Sequence, residues 1–405
     1  MKHTAFYVLT TFFVILLMIG SGVLGSHSIA AHLQQKIQDS RTINSIMFEK
    51  NNQVAYKPQI YTVPTPDGFA ISLTRYETKK KPPIILIHGM SGNHIMFDWD
   101  EEHSLAQYLY GEGWDVWLLD LRTHDGDGDF LFAFDSDREY IDRNWDFDNT
   151  LLKIDVVTAV TFVKMQTSSK KIVLGGHSYG GYLAYAYALL IGEENLSGIV
   201  TTGAAPYGNP KDYQHSRRTM YKYGFFYGKH AYVRPFGKKA GYPGSKLLKD
   251  YCLKHWDQLD LTSVFYQNTT PQIIQQGLLY HGDAEAAGVI VDMFFGKDPY
   301  KYHGHWVDPQ TLYDYSENLD KITVPILFIA GDKDPQDPSE LVYKAFQQVS
   351  SKQKQFYSIL DHSHLDLLLG ENARTLVFPK ITTWLEEIIL DNEINNSLDY
   401  KKTVT

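Results

Sequence analysis

The chain has 405 residues, of which 43% are hydrophobic and 21% are charged, a composition typical of a globular protein with a large buried core. Its net charge of −9 disfavours binding to nucleic acid and docking onto anionic lipid by charge. The single cysteine, Cys252, excludes an intramolecular disulfide and lacks the sequence context of an activated nucleophile.

Residues 1–25 are strongly apolar. No Asp, Glu, Lys or Arg stands between Lys2 and Lys36, and small residues surround Gly25. This pattern is typical of a secretory signal peptide, and its length equally fits an uncleaved membrane anchor. Both interpretations predict that the remaining chain lies outside the cytoplasm, and an anchor would associate with a membrane. Residues 26–57 have no strong pattern and are predicted to form a linker.

From residue 58 onward, apolar strands alternate with helical segments. The segment 58–205 predicts strands at 59–65, 69–77, 83–89, 114–120, 171–174 and 196–205, and helices at 148–165 and 182–191. The segment 316–390 predicts strands at 324–331 and 355–360, and helices at 338–349 and 375–389. Such alternation predicts an α/β fold with a doubly wound, mostly parallel sheet.

Two segments depart from this alternation. Residues 206–315 are rich in aromatic side chains and glycine, and they interrupt the core between two predicted strands. Because ligands of α/β folds bind at the carboxyl ends of the strands, this insertion is predicted to be a cap over the active site. Residues 391–405 are predicted to be a frayed tail.

The motif Gly176-His177-Ser178-Tyr179-Gly180 lies between a predicted strand and a predicted helix. It fits Gly-x-Ser-x-Gly, the nucleophile elbow of an α/β-hydrolase, in which a strained turn exposes the serine hydroxyl to a base. Ser178 is therefore the predicted nucleophile. The N–H of Tyr179, at the start of the following helix, is predicted to contribute to an oxyanion hole.

The remaining catalytic groups are expected after later strands. On this fold the acid and then the histidine follow the serine in chain order. Asp334 follows the strand that ends at residue 331, although Asp332 and Asp337 compete with it. Two histidines, His362 and His364, follow the strand that ends at residue 360 and are both candidates for the base. In the early loop His88-Gly89-Met90, the N–H of Met90 is the predicted second oxyanion donor, and His88 is expected to pack rather than to react.

These motifs resemble the acid lipases, the gastric and lysosomal lipases and their relatives, over most of residues 61–385. The loop 88–90 is similar to their His-Gly-Leu oxyanion loop, and segments 113–122 and 145–155 are similar to their Gly-Tyr-Asp-Val-Trp-Leu…Arg and Trp-x-Phe-Ser-Phe-Asp-Glu…Lys-Tyr-Asp stretches. The segment 364–370 resembles their His-Leu-Asp-Phe-x-x-Gly ending, which favours His364 as the base. Residues 334–338 resemble their acid loop. The chain departs from the family after Arg122, where Thr123-His124 replaces Gly-Asn, and at 179–181 in the elbow.

No cofactor or metal is expected. The acidic segment 125–129 lacks the glycine and glutamate positions of an EF-hand, and His303-Gly304-His305 has no accompanying cluster of ligands.

Taken together, the motifs predict a serine hydrolase of carboxylic esters, acting on a small-molecule ester or lipid with an apolar acyl group. A peptidase or amidase on the same fold, and a non-catalytic protein that binds an apolar ligand, are the alternatives.

Overall fold

The computed structural model describes residues 57–90, 92–122, 124, 145–209, 268–270, 273, 289, 292–293 and 296–403, with the backbone alone from 391. The predicted signal or anchor segment, most of the linker, the acidic segment 125–129 and most of the cap lie outside these residues. Within the described ranges, no helix combines the length and the apolar character needed to cross a membrane.

Eight strands form one sheet in the order β1-β2-β4-β3-β5-β6-β7-β8. Strand β2 is antiparallel to both of its neighbours, β1 and β4. The other six strands, β4, β3, β5, β6, β7 and β8, are parallel to one another. The strands are β1 Gln59–Pro64, β2 Ala70–Tyr76, β3 Pro83–Ile87, β4 Asp115–Asp120, β5 Ile172–His177, β6 Leu196–Thr202, β7 Ile326–Gly331 and β8 Lys354–Ile359. The predicted mostly parallel sheet is confirmed.

Helices cover both faces of the sheet. They are α1 Leu105–Gly111, α2 Phe147–Val156, α3 Val157–Thr167, α4 Tyr179–Ala186, α5 Tyr187–Ile191, α6 Ser339–Gln348, α7 Asp366–Leu369, α8 Ala373–Leu376 and α9 Phe378–Thr403; α2 and α5 are π-helical, and short 3₁₀ turns span His94–Phe97 and Glu317–Lys321. Within the predicted tail 391–405, the described backbone is helical, because α9 continues to Thr403. Residues 380–403 contain neither glycine nor proline, so nothing in the sequence ends the helix earlier.

Alternating side chains of the central strands build two cores. Trp117 and Leu119 of β4 pack on one face of the sheet with α3, α4 and α5, while Val116 and Leu118 pack on the other face with α1 and α9. Because both faces are covered, the central strands are apolar along their whole length.

The chain changes direction at the centre of the sheet. From β3 it moves to β4 on one side and then returns to β5 on the other side of β3. The loops that follow β3 and β5 therefore diverge at the carboxyl edge of the sheet and leave a crevice, the usual ligand position in open α/β sheets. Gly89 and Ser178 both lie in these loops.

Candidate active site

Ser178 lies in the sharp turn between β5 and α4. Its backbone has φ 52° and ψ −119°, a conformation that strains a non-glycine residue. Two hydrogen bonds hold the turn, because the Ser178 N–H donates to Thr202 O (2.9 Å) and the Gly181 N–H donates to Ser178 O (2.8 Å). The half-buried side chain thus stands at the edge of the sheet rather than in the core.

Two glycines permit this turn to pack. A Cβ on Gly180 would lie 2.0 Å from Ile87 O, and a Cβ on Gly176 would lie 2.2 Å from the carbonyl carbon of Gly180. No side chain fits at such distances from backbone atoms. The elbow can approach the end of β3 only because both residues are glycines, as the motif predicted.

The predicted oxyanion loop lies against the elbow. A Cβ on Gly89 would lie 3.4 Å from Ser178 Cβ, so the loop after β3 passes directly beside the serine. Met90, the predicted donor, follows Gly89 in the chain. On the other side of the serine, Tyr179 begins α4 and packs its buried ring edge-on against Phe147, with centroids 5.3 Å apart.

Two buried histidines contact the predicted oxyanion loop. His88 Nε2 accepts the Leu121 N–H at 3.2 Å, so Nδ1 carries the hydrogen and donates to Gly89 O at 2.8 Å. The His124 ring lies 4.6 Å from the His88 ring, and its Nδ1 donates to Gly92 O at 2.6 Å. His88 therefore packs and hydrogen-bonds as expected. His124 stands where the sequence departs from the acid lipases, and sequence reasoning did not assign it this contact.

Asp334 and His364 meet at the carboxyl ends of β7 and β8. His364 Nδ1 donates to Asp334 Oδ2 at 2.7 Å, and both side chains are buried. The other carboxylate oxygen, Oδ1, accepts the N–H groups of Gln336 (2.9 Å) and Asp337 (3.0 Å), which fixes the carboxylate. With a hydrogen on Nδ1, Nε2 of His364 is the nitrogen left to exchange a proton.

The competing histidine has a different partner. His362 Nδ1 lies 2.7 Å from Leu360 O, and the His362 carbonyl accepts the Lys333 N–H at 2.9 Å. A Cβ on Gly331 would lie 2.2 Å from His362 O, so the acid loop and the histidine loop are in close backbone contact. His362 thus joins the two loops, while His364 contacts the carboxylate.

His177 connects His364 to the elbow. It directly precedes Ser178, and its ring centroid lies 4.7 Å from that of His364. A Cβ on Gly203 would lie 3.2 Å from both imidazoles, so the two rings share one tight space at the end of β6. The structure therefore brings Ser178, Asp334, His364 and the loop of Met90 to one edge of the sheet.

A second carboxylate also faces His364. Asp337 Oδ2 lies 4.0 Å from His364 Nδ1, and Lys297 Nζ lies 3.5 Å from Asp337 Oδ1. Burial acts to lower the pKa of His364, but the charge and hydrogen bond of Asp334, together with the charge of Asp337, raise it above its ordinary value. Lys297 opposes this rise. Sequence reasoning weighed Asp337 only as a competing acid and did not identify Lys297.

Asp148, which follows Phe147 in α2, and Asp308 form a buried, hydrogen-bonded pair of carboxyl groups. Burial raises the pKa of Asp148 to about 7, and the hydrogen-bonded Asp308 adds to the rise. Asp308 is also buried, but its hydrogen bonds from Asp148 and from backbone N–H groups lower its pKa. Tyr315 donates its hydroxyl hydrogen to Asp148. Among the described residues, no group of three or more His, Cys, Asp or Glu side chains is arranged to hold a metal ion.

The described ends of the predicted cap pack on the core. Tyr207 is buried, its hydroxyl donates to Gln348 Oε1 of α6 at 2.6 Å, and it pairs with His305 in an antiparallel bridge. The next N–H along, that of Gly208, donates to Gly304 O at 2.9 Å. Tyr207 thus packs at the base of the insertion. Most of the other aromatic residues of the predicted cap lie outside the described residues.

The chain is similar to known proteins in sequence and in fold. Residues 84–377 match the model of the Alpha/beta hydrolase family. Triacylglycerol lipase 1 of Arabidopsis thaliana is 27% identical over 164 residues, 39% of this chain and 40% of the lipase, so the match spans less than half of either protein. A Schizosaccharomyces pombe protein named as a probable lipase is 22% identical over 365 residues, 82% of this chain and 76% of that protein. A thermophilic esterase from Thermogutta terrifontis has a similar fold, with TM-score 0.51, 18% identity, and coverage of 82% of this chain and 99% of the esterase.

Proposed function

Because the chain belongs to the alpha/beta hydrolase family, we propose that it is a serine hydrolase that cleaves carboxylic esters through an acyl-enzyme on Ser178. The observation that carries this proposal is the contact between His364 and Asp334 beside a strained serine elbow. A buried imidazole held by a carboxylate is the arrangement that activates a serine hydroxyl. A protein that only binds a ligand has no need of it.

The reaction follows from these positions. Ser178 Oγ attacks the ester carbonyl carbon while His364 Nε2 takes the hydroxyl proton, and Asp334 stabilises the resulting imidazolium. The N–H groups of Met90 and Tyr179 receive the oxyanion of the tetrahedral intermediate. Collapse of the intermediate expels the alcohol, which takes the proton from His364. A water molecule then loses its proton to His364 and attacks the acyl-enzyme, and release of the acid restores Ser178 Oγ–H.

For the substrate, we propose esters with apolar acyl chains. Two relatives are named as lipases, and the motifs at 88–90, 334–338 and 364–370 support the finer assignment to the acid-lipase group. The many aromatic residues of the insertion 206–315 would provide an apolar surface for the acyl chain. Burial of each methylene group would contribute up to about 0.8 kcal/mol.

Replacement of the nucleophile tests the mechanism. Ser178→Ala is expected to lower kcat/KM for p-nitrophenyl butyrate on the order of 10⁴-fold and to abolish labelling by a fluorophosphonate probe. Ser197→Ala is the matched control, because the Ser197 hydroxyl has no hydrogen-bond partner among the described residues. Undiminished labelling of the Ser178→Ala protein would refute the assignment.

A series of p-nitrophenyl esters from acetate to octanoate tests the substrate class. We expect kcat/KM to rise with chain length by at most about fourfold per methylene until the pocket is full. A flat or falling profile would leave a serine esterase and remove the lipase assignment. Faster cleavage of the matching p-nitroanilides than of the esters would instead favour the amidase alternative.

We also propose that residues 1–25 direct the chain to a membrane and out of the cytoplasm, on the strength of their uncharged apolar run. Mass spectrometry of the mature N-terminus separates the two forms of this proposal. A terminus near Ser26 would indicate cleavage, and Met1 in the membrane fraction would indicate an anchor. A cytoplasmic protein that retains Met1 would refute both.

A further inference from the structure

Three side chains from distant parts of the chain, two of them buried and one partly exposed, form a polar cluster beside His364. Asp337 belongs to the acid loop, Tyr182 lies in α4, and Lys297 lies in the segment that returns from the insertion. Lys297 Nζ lies 3.7 Å above the centroid of the Tyr182 ring and contacts its hydroxyl oxygen. The cluster therefore joins the elbow helix, the acid loop and the base of the insertion.

Asp337 is held so that one carboxylate oxygen is satisfied and the other faces the histidine. Its Oδ1 accepts the Ala205 N–H at 3.1 Å and contacts the Tyr182 hydroxyl, which acts as a donor. Burial and the adjacent carboxylate both raise the pKa of Tyr182, so the phenol keeps its hydrogen. Oδ2 of Asp337 lies 4.0 Å from His364 Nδ1, which is also the nitrogen that Asp334 contacts.

A proton on His364 therefore meets two carboxylates rather than one. At 4.0 Å in a buried environment, a carboxylate stabilises an imidazolium substantially, because water screens little of the interaction. Two carboxylates without compensation would hold the imidazolium too firmly for it to release the proton during the reaction. Lys297 supplies the compensating positive charge, 3.5 Å from Asp337.

We propose that Asp337 and Lys297 are positioning residues of the active site, which act in opposite directions on the protonation of His364. Asp337 stabilises the imidazolium, and Lys297 limits that stabilisation. This inference rests on the proposed role of His364 as the base. In the described part of the chain, the titratable and charged groups that face His364 are Asp334, Asp337, His177 and Lys297.

The pH profile of kcat/KM tests the proposal. Activity requires neutral His364, so the acid limb of the profile follows its protonation. Asp337→Asn is expected to move this limb to lower pH, and Lys297→Met to higher pH. The ratio of kcat/KM at pH 8 to that at pH 6 should therefore fall in Asp337→Asn and rise in Lys297→Met, by about threefold or more in each case.

Two matched variants control for indirect effects. Lys301→Met removes another lysine that lies over a tyrosine ring in the same segment, with Nζ 4.6 Å from the Tyr302 centroid. Asp332→Asn removes another carboxylate of the acid loop, which pairs with Lys333. Both controls should leave the ratio unchanged, because neither side chain faces His364.

The outcomes separate this inference from the proposed function. If the pH profile of Lys297→Met is the same as that of the wild-type protein, the inference is wrong. Fluorophosphonate labelling of Ser178 would still support the proposed serine hydrolase activity. If the profile shifts in the same direction in both variants, the opposing roles are refuted. If Asp337→Asn does not fold, Lys297→Met and Lys301→Met decide the question alone. Full activity of a His364→Ala protein would refute the proposed function itself.

Discussion

The buried pair of Asp148 and Asp308 makes the stability of the fold depend on pH. Burial, with added effect from Asp308, raises the pKa of Asp148 to about 7 from 3.8. Between about pH 4 and pH 7, the folded protein therefore holds a proton that the unfolded chain has released. The free energy of unfolding must fall as the pH rises through this window. Below it both states are protonated, and above it both are ionised and the full destabilisation remains.

The size of the effect follows from the same values. Each pH unit between 3.8 and about 7 corresponds to about 1.4 kcal/mol, so the destabilisation above pH 7 is at most about 4 kcal/mol. The lowered pKa of Asp308 offsets part of it, because the two groups titrate as a pair. In Asp148→Asn, the amide can donate to Asp308 and accept from Tyr315, as the protonated carboxyl does. We expect the stability advantage of this variant over the wild-type protein to grow by about 1 to 4 kcal/mol from pH 4 to pH 8.

Urea denaturation at constant ionic strength, at each pH from 4 to 8, measures this difference. The control is Glu102→Gln, whose wild-type carboxylate is 75% exposed, and its stability curve should run parallel to that of the wild-type protein. A difference between Asp148→Asn and wild type that stays constant across the pH range would show that folding does not raise the pKa of Asp148. That result would refute the argument from burial.

Two further predictions concern stability. Gly180→Ala places a Cβ 2.0 Å from a backbone oxygen of β3 and should lower the free energy of unfolding by about 3 kcal/mol or more in thermal denaturation. Gly111→Ala is the control, because the space around Gly111 is open, and it should be nearly neutral or stabilising. Arg122 pairs at 2.6 Å with Asp155, which is fully buried, and at 2.6 Å with Asp67, which is 28% exposed. Asp155→Ala should cost about 3 kcal/mol, because it leaves the buried Arg122 guanidinium with the partly exposed Asp67 as its remaining carboxylate partner, and Asp67→Ala about 1 kcal/mol or less. Equal losses in urea denaturation would contradict this ranking.

The parts of the molecule that were predictable are those encoded by neighbouring residues. The central strands are apolar runs because a parallel sheet is covered on both faces, and the elbow around Ser178 lies within a single strand, turn and helix. The mostly parallel sheet was therefore confirmed. The roles of Ser178, Asp334, His364, Met90 and Tyr179 remain predictions, although the structure brings their loops to one edge.

The parts that were missed depend on residues far apart in the chain. Tyr182, Lys297 and Asp337 have no pattern in common, and Tyr182 alone is indistinguishable from an ordinary core residue of a helix. Asp148 belongs to a recognised motif, but its pKa is raised first by burial in the folded core and then by Asp308, 160 residues later. These charged groups become neighbours only in the folded protein. Local periodicity and motif spacing therefore do not predict their contacts.

The two described ends of the predicted insertion 206–315 lie against each other. Besides the hydrogen bond from Gly208 to Gly304, a Cβ on Gly208 would lie only 2.4 Å from Lys297 O, so the departing and returning backbones touch. A segment with adjoining ends can change in length or be exchanged without strain on the strands that carry it. If residues 206–315 form the proposed cap, the cap is a replaceable module, and the range of esters accepted can diversify, in evolution or by design, while the sheet and its elbow stay the same.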